Sequence, residues 1–261
     1  MKLPIYQVDA FTNKVFGGNP ACVVPLNKWI DDEVLIKIAG ENAVPETAFF
    51  VKSKNFFHLR WFTPEIEMDL CGHATLATAF IIRNFFDHHK DEVIFKTLSG
   101  ELKVTFNDKL LTLDLPSRPP VKSDLPDIIK NAINIKPIKT LKSRDYVLVY
   151  KNENDIKNIT VDAQILNQMD LKTGGIIVTA IGESVDFVSR FFTPRSSILE
   201  DPVTGSAHCS LIPYWSKILK KNKMKAFQLS ERKGELFCTN KVDRVLISGN
   251  AKIYSTGSIW I

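Results

Sequence analysis

No apolar stretch in this 261-residue chain approaches the roughly 18 residues that a membrane-crossing helix requires. Cysteine is scarce and dispersed. Cys22, Cys71, Cys209 and Cys238 form no CxxC pair, which argues against a zinc knuckle or a dense disulfide framework and fits a reducing compartment. The first nine residues carry Pro4, Gln7 and Asp9 where a signal peptide would need an apolar run. The expected location is therefore the cytoplasm, with no membrane partner. Twelve glycines and 13 prolines are too few for a collagenous or low-complexity chain, and 44% hydrophobic with 24% charged residues is the profile of a globular protein.

The net charge of +5 is unevenly placed. Residues 1–120 hold 13 basic and 15 acidic side chains, whereas residues 121–261 hold 21 and 14. Lys217, Lys220, Lys221, Lys223 and Lys225 make up much of the excess. No aromatic interleaving or binding motif accompanies them, so nucleic acid is not an expected partner. Cations complementing the end of a helix are the simpler reading.

What the chain does have is internal repetition. Arg60-Trp-Phe-Thr-Pro64 recurs 130 residues later as Arg190-Phe-Phe-Thr-Pro194. Each copy is followed by acidic residues and then by a glycine, Gly72 or Gly205, that opens a run of small residues. Farther on, Gly100-Glu-Leu102 returns as Gly234-Glu-Leu236. Three landmarks in one order, half a chain apart, point to a duplicated domain, not to a solenoid of short repeats. The Pro-rich stretch 115–126 marks the boundary, giving halves 1–118 and 119–261.

Residues 31–41 read as a helix that Asp31 or Asp32 can cap, with Leu35, Ile38 and Ala39 on one face. Residues 72–86 read as a helix apolar nearly all round, hence buried, and a counterpart runs from 205 to about 220. Alternating and β-branched runs between them read as strands at hairpin-length spacing. The expected class is α+β: two pseudo-symmetric domains, each a mostly antiparallel, barrel-like sheet wrapped around a central helix.

A helix that starts at a glycine after a strand presents unpaired N–H groups and the positive end of its dipole, which suits an anion. Gly72 and Gly205 offer two such places, although either glycine could serve close packing alone. His73 follows the first and Ser206 the second; Cys71 and Asp201 precede them. His73 could exchange a proton near neutral pH or be a core imidazole bonded to a carbonyl. Asp201 could hold a substrate or cap a turn. Cys71 and His73 with His208 and Cys209 do not make a convincing metal set, because His208 and Cys209 are adjacent on one helix and diverge. A cysteine nucleophile at Cys71 lacks a local signature. Glu46 stands alone in the neutral segment 43–51, where burial would raise a carboxylate toward the working pH of a base; an edge-strand position facing water is the alternative.

Five ordered blocks resemble a known family: Asp9-Ala-Phe-Thr with Gly18-Asn-Pro-Ala-Cys-Val-Val24, Pro45-Glu-Thr-Ala-Phe49, Arg60-Trp-Phe-Thr-Pro64, Leu70-Cys-Gly-His-Ala-Thr75 and Glu200-Asp-Pro-Val-Thr-Gly-Ser-Ala-His208. They are similar to the PhzF-like isomerases of phenazine biosynthesis, which share the diaminopimelate-epimerase fold. The resemblance implies two similar domains with an active site between them, a homodimer, and proton movement without metal or organic cofactor. It places the catalytic carboxylate at Glu46. His73, Asp201 and Ser206 would assist or hold the substrate, a small anionic carboxylate, with Gly72 and Gly205 supplying N–H groups. The epimerase cousins use two cysteines, one before each glycine; here the second position is Thr204, which disfavours a two-thiol racemase. The expected function is a cofactor-independent isomerase. An amino-acid epimerase and a non-catalytic binding protein on the same fold are the alternatives.

Overall fold

The computed structural model describes residues 1–171, 174–196 and 198–261. They divide into two compact units, Met1–Leu115 with Leu246–Ile261, and Pro116–Val245.

The first unit contains β1 (Lys2–Ala10), β2 (Asn19–Leu26), α1 (Asp32–Asn42), β3 (Glu46–Lys52), β4 (Phe57–Phe62), β5 (Glu67–Met68), α2 (Gly72–Phe85), β6 (Glu92–Thr97), β7 (Gly100–Asn107) and β8 (Leu110–Pro116). Strand β1 pairs antiparallel with β2, β2 parallel with β3, β3 antiparallel with β4, β4 parallel with β6, and β6 antiparallel with β7. Each parallel step is bridged by a helix, α1 then α2, as a same-direction return requires.

The second unit contains β9 (Val121–Lys122), α3 (Asp127–Ala132), β10 (Lys139–Lys142), β11 (Tyr146–Val149), α4 (Glu153–Asn158), α5 (Ala163–Leu166), β12 (Ile176–Ile181), β13 (Phe187–Phe192), β14 (Glu200–Asp201), α6 (Gly205–Leu219), β15 (Lys223–Gln228) and β16 (Gly234–Asn240), and the division falls within β17 (Arg244–Gly249), after Val245. From β10 to β16 the pairing sequence is the same: antiparallel, parallel, antiparallel, parallel, antiparallel. The duplication seen in the sequence is thus repeated bond for bond in the sheets. The sheets are mixed but mostly antiparallel, as expected, with two parallel pairs in each unit.

The last strand, β18 (Ala251–Trp260), pairs antiparallel with β1 along nearly its whole length. It flanks β1 as β9 flanks β10 in the second unit. The chain's end therefore belongs with the first unit, which the expected division into 1–118 and 119–261 did not anticipate. The reason is hydrogen bonding: without β18, one edge of β1 would lack a partner for its N–H and C=O groups.

The repeated Arg-aromatic-Phe-Thr-Pro block is a clamp. Arg60 donates from Nε and Nη2 to the Glu67 carboxylate at 2.7 and 2.6 Å, and Arg190 does the same to Glu200 at 2.7 Å for both bonds. Each guanidinium also lies over the ring two residues on, Phe62 or Phe192, at 5.0 Å. The bidentate fork ties β4 to β5 and β13 to β14, the two-residue strands that lead into the glycine-started helices.

Helix α2 begins at Gly72 and is buried on almost every side, and its Thr75 and Thr78 hydroxyls bond the carbonyls four residues back. Helix α6 begins at Gly205 and contains Pro213, which has no N–H for the Cys209 carbonyl. The backbone N–H of Arg118 donates there instead, at 2.8 Å. Asp31 occupies the N-cap of α1 without a side-chain capping bond, and Asp32 pairs with Arg60 at 2.8 Å. Neither is the expected cap. Among the basic cluster, Lys220 ends α6, Lys221 pairs with Asp186, and Lys225 pairs with Glu235 at 2.6 Å. All four cysteines are buried, and none is in a disulfide.

Candidate active site

In the first unit, the parallel pairing of β2 with β3 puts the starts of both strands at one end of the sheet, with Ala21 opposite Glu46. Asn19 opens β2, Glu46 opens β3, and Cys71 and Gly72 open α2. Three elements thereby deliver their first residues to one place. The His73 Nε2 lies 3.2 Å from a Glu46 carboxylate oxygen. The Asn19 side-chain amide lies 3.1 Å from His73 Nδ1, and the Cys71 sulfur 3.6 Å from the same nitrogen. Asn19 is wholly buried, His73 is 3% exposed, and the Glu46 side chain retains 16% exposure.

Burial pushes the His73 imidazole down to about 3, an effect that a hydrogen bond to the Pro20 carbonyl offsets only in part. The ring is neutral at pH 7. The Asn19 amide lies at Nδ1, and Nε2 faces Glu46 Oε2 in a close contact that lacks hydrogen-bond geometry. The carboxylate thus lies against a neutral ring and keeps 16% of its side chain exposed.

Glu46, Cys71 and His73 also bring a carboxylate oxygen, a thiol and an imidazole nitrogen within 4.8 Å of one another, the arrangement among the described residues that could hold a metal ion. Nδ1 lies 3.1 Å from the Asn19 amide, and Nε2 faces the Glu46 carboxylate, itself one of the three groups.

In the second unit, Thr204 stands before Gly205 where Cys71 stands before Gly72. Its hydroxyl donates to the Asp201 carboxylate at 2.5 Å, and its N–H donates to the Gln228 amide oxygen at 2.9 Å. The Gln228 amide nitrogen donates to the Asp201 carbonyl at 2.8 Å, and Gln228 is fully buried. Asp201 is thus fixed by the turn that starts α6. The Ser206 hydroxyl oxygen accepts from Arg144 Nη2 at 2.9 Å. His208 is wholly buried, bonds the Thr204 carbonyl at 2.9 Å through Nδ1, and is pushed by burial down to about 4.

The expected residues therefore fall into two sets. Glu46, His73 and Gly72 cluster in the first unit; Asp201, Gly205 and Ser206 lie at one helix start in the second. Asn19, Gln228 and Arg144 were not singled out from sequence. Gln228 was legible in principle: Met224, Ala226 and Gln228 alternate on the buried face of β15, and a polar residue at such a position needs a partner.

A mixed sheet that twice returns through a glycine-started helix defines this chain as an α+β protein of the diaminopimelate-epimerase-like fold. A hydroxyproline epimerase from Agrobacterium vitis, solved with trans-4-hydroxy-L-proline, shares that fold at a TM-score of 0.65 and 8% identity, covering 99% of this chain and 92% of that one. The family model described as phenazine biosynthesis-like protein (PhzC-PhzF) matches residues 8–257, and the chain belongs to that family. A protein from Pseudomonas aeruginosa named as an uncharacterised isomerase is 44% identical, with 99% of both chains covered. The crystal structure of a PhzF-family protein from Enterococcus faecalis is 45% identical, covers 100% of both chains and superposes with a TM-score of 0.95. No helix among the described residues is long and apolar enough to cross a membrane.

Proposed function

We propose that this protein is an isomerase that moves a proton on a small carboxylate-bearing substrate, with Glu46 as the base. The observation that carries this reading is the Glu46–His73 contact of 3.2 Å at the buried start of α2. Glu46 removes a proton from a substrate carbon and returns it elsewhere on the conjugated system. His73, neutral and in contact with Glu46 through Nε2, packs beside the carboxylate and fixes its position. Asp201 and Ser206, with the N–H groups at Gly72 and Gly205, hold the substrate and its carboxylate. General acid–base catalysis supplies about 100- to 10,000-fold, and orientation with preorganised dipoles supplies the rest. Membership of the family and the isomerase name of the P. aeruginosa relative support the reaction class. On this reading the reaction needs neither metal nor organic cofactor, and the enzyme works as a cytoplasmic homodimer.

A two-thiol epimerase is the competing chemistry, and the Thr204 hydroxyl argues against it. That group is committed to Asp201 in a turn locked by Gln228, and a threonine hydroxyl is a far weaker acid than a thiol.

The test is hydrogen exchange in deuterated water with cyclic amino and hydroxy acids as candidates, with and without a chelator. The parent should wash deuterium into a carbon position of one candidate, unchanged by the chelator, while Glu46→Gln binds that ligand and exchanges at least 100-fold more slowly. Equal exchange by the variant would remove Glu46 from the base role, and loss with the chelator would assign the chemistry to a metal.

A further inference from the structure

We infer that Gln228 is a positioning residue for Asp201: its side-chain amide turns the Thr204 hydroxyl to donate to the Asp201 carboxylate, which is thereby held in place for the substrate. The inference deepens the proposed function and rests on it in one respect, that Asp201 contacts the substrate.

The direction of each proton in this group follows from its partners. The Thr204 backbone N–H can only donate, and it meets the Gln228 amide oxygen at 2.9 Å. The Asp201 backbone carbonyl can only accept, and it meets the Gln228 amide nitrogen at 2.8 Å. Rotating the amide by half a turn would set N–H against N–H and oxygen against oxygen, so its orientation is fixed. The nitrogen carries a second hydrogen, and the Thr204 hydroxyl oxygen lies 3.2 Å away. That oxygen therefore accepts, and its own single proton is left for Asp201 Oδ2 at 2.5 Å. A hydroxyl that faces a carboxylate makes one of the shorter and stronger hydrogen bonds. Gln228 has no exposed surface, so water does not compete for these bonds.

The amide serves the Asp201–Thr204 pair and not the scaffold. In the first unit, Thr97 stands opposite Gly100 in the pairing of β6 with β7, as Gln228 stands opposite Gly234 in the pairing of β15 with β16. The Thr97 hydroxyl donates to the Gly100 carbonyl at 2.8 Å, and α2 still begins at a glycine shortly after a two-residue strand. The same scaffold thus forms with no amide at that place. In the second unit, the turn into α6 has other support. Ser230 donates to the Pro202 carbonyl at 2.8 Å, and Val203 packs against Gly234. These contacts fall on the two residues between Asp201 and Thr204.

The experiment joins diffraction to the deuterium wash-in assay. Neutron diffraction from parent crystals in deuterated water should show the Thr204 deuteron between its oxygen and Asp201 Oδ2. Crystals of Gln228→Met should show the Asp201 carboxylate displaced from its place in the parent. With the acid that the parent labels fastest as probe, Gln228→Met and Thr204→Val should each raise half-saturation about tenfold and change the saturating rate far less. Thr204→Ser keeps a hydroxyl and should restore half-saturation close to the parent value. Adding Gln228→Met to Thr204→Val should raise it little further, because the amide acts through that hydroxyl. Ser230→Ala loosens the same turn and should lower the unfolding temperature while leaving half-saturation unchanged; a purely structural Gln228 would behave in the same way. Far-UV circular dichroism checks folding, and the two Thr204 variants carry the kinetic test if Gln228→Met does not fold. The inference is overturned by a Thr204 deuteron directed away from Asp201, by a carboxylate that keeps its place in Gln228→Met, or by unchanged half-saturation in that variant where Asp201→Asn raises it. If Asp201→Asn itself leaves half-saturation unchanged, the substrate contact in the proposed function falls, while a displaced carboxylate in Gln228→Met still supports the positioning.

Discussion

The two units follow one strand order and one clamp but differ where their central helices begin. At Gly72 the first unit sets an acid beside a neutral imidazole, with Asn19 behind it. At Gly205 the second sets an aspartate tied to a threonine hydroxyl, and a serine accepting from an arginine. The first arrangement can give and take a proton. The second holds a fixed carboxylate and a serine backed by a guanidinium. Duplication thus preserved the scaffold that delivers a helix start and left the residues at that start free to take different work.

Attempts to break the comparison begin with protons, because each unit buries one neutral histidine. Both His73 and His208 are lowered by burial, to about 3 and about 4. As pH falls below about 6.5 the unfolded chain binds these protons and the folded chain does not, so stability is full above that value and declines on acidification. The loss should approach about 2 kcal/mol per histidine at pH 5. Denaturant melts from pH 7 to pH 5 measure it, and His208→Gln should roughly halve the slope that these two groups contribute. An unchanged slope would mean that His208 is not a silent structural counterpart of His73.

The clamps come next. Arg190 also donates to the carbonyls of Ile156 and Ile159 at 3.1 and 2.8 Å, whereas the additional partner of Arg60 is the exposed Asp32. Arg190→Leu should cost about 3 kcal/mol or more, because it strands a half-buried carboxylate and two carbonyls. Arg60→Leu should cost roughly 1 kcal/mol less. Chemical unfolding ranks them, and the reverse order would contradict the clamp as described.

The repeated Gly-Glu-Leu blocks sharpen the comparison further, since their glycines are needed for different reasons. Gly234 packs against Val203, so that an added Cβ would sit 2.2 Å from a valine methyl. Gly100 has open space around it but a φ of +92°. Gly234→Ala should cost about 1–3 kcal/mol from overpacking and be partly rescued by Val203→Ala. Gly100→Ala should cost about 1 kcal/mol, with no such rescue. The smallest effect is expected at Cys71→Ser, a near-isosteric change that should leave exchange within a few-fold of the parent; near-total loss would restore the thiol chemistry.

Much of this architecture was legible because it is periodic. The apolar run after Gly72 has no polar face, and a helix of that kind must be buried, as α2 is. The repeated arginine blocks marked the duplication, although nothing in them shows that they are forks closing on Glu67 and Glu200. The last strand escaped notice because most of its residues are exposed, so no alternation betrays it. The helices α3, α4 and α5 span six, six and four residues, too short for a 3.6-residue pattern to register. At the candidate site, sequence supplied residues in and beside the glycine-started helices and missed those that bond to them from other elements. Asn19 contacts His73, and Arg144 donates to Ser206; such contacts depend on strand register and loop path, which composition does not carry.

The division of labour between the two helix starts is tested most directly by deuterium wash-in rates for Glu46→Gln and Ser206→Ala, measured as a function of ligand concentration. The account predicts that Glu46→Gln lowers the saturating rate at least 100-fold with half-saturation little changed, and that Ser206→Ala raises half-saturation far more than it lowers the saturating rate. The opposite split, with Ser206→Ala abolishing exchange at saturation and Glu46→Gln affecting only binding, would contradict it.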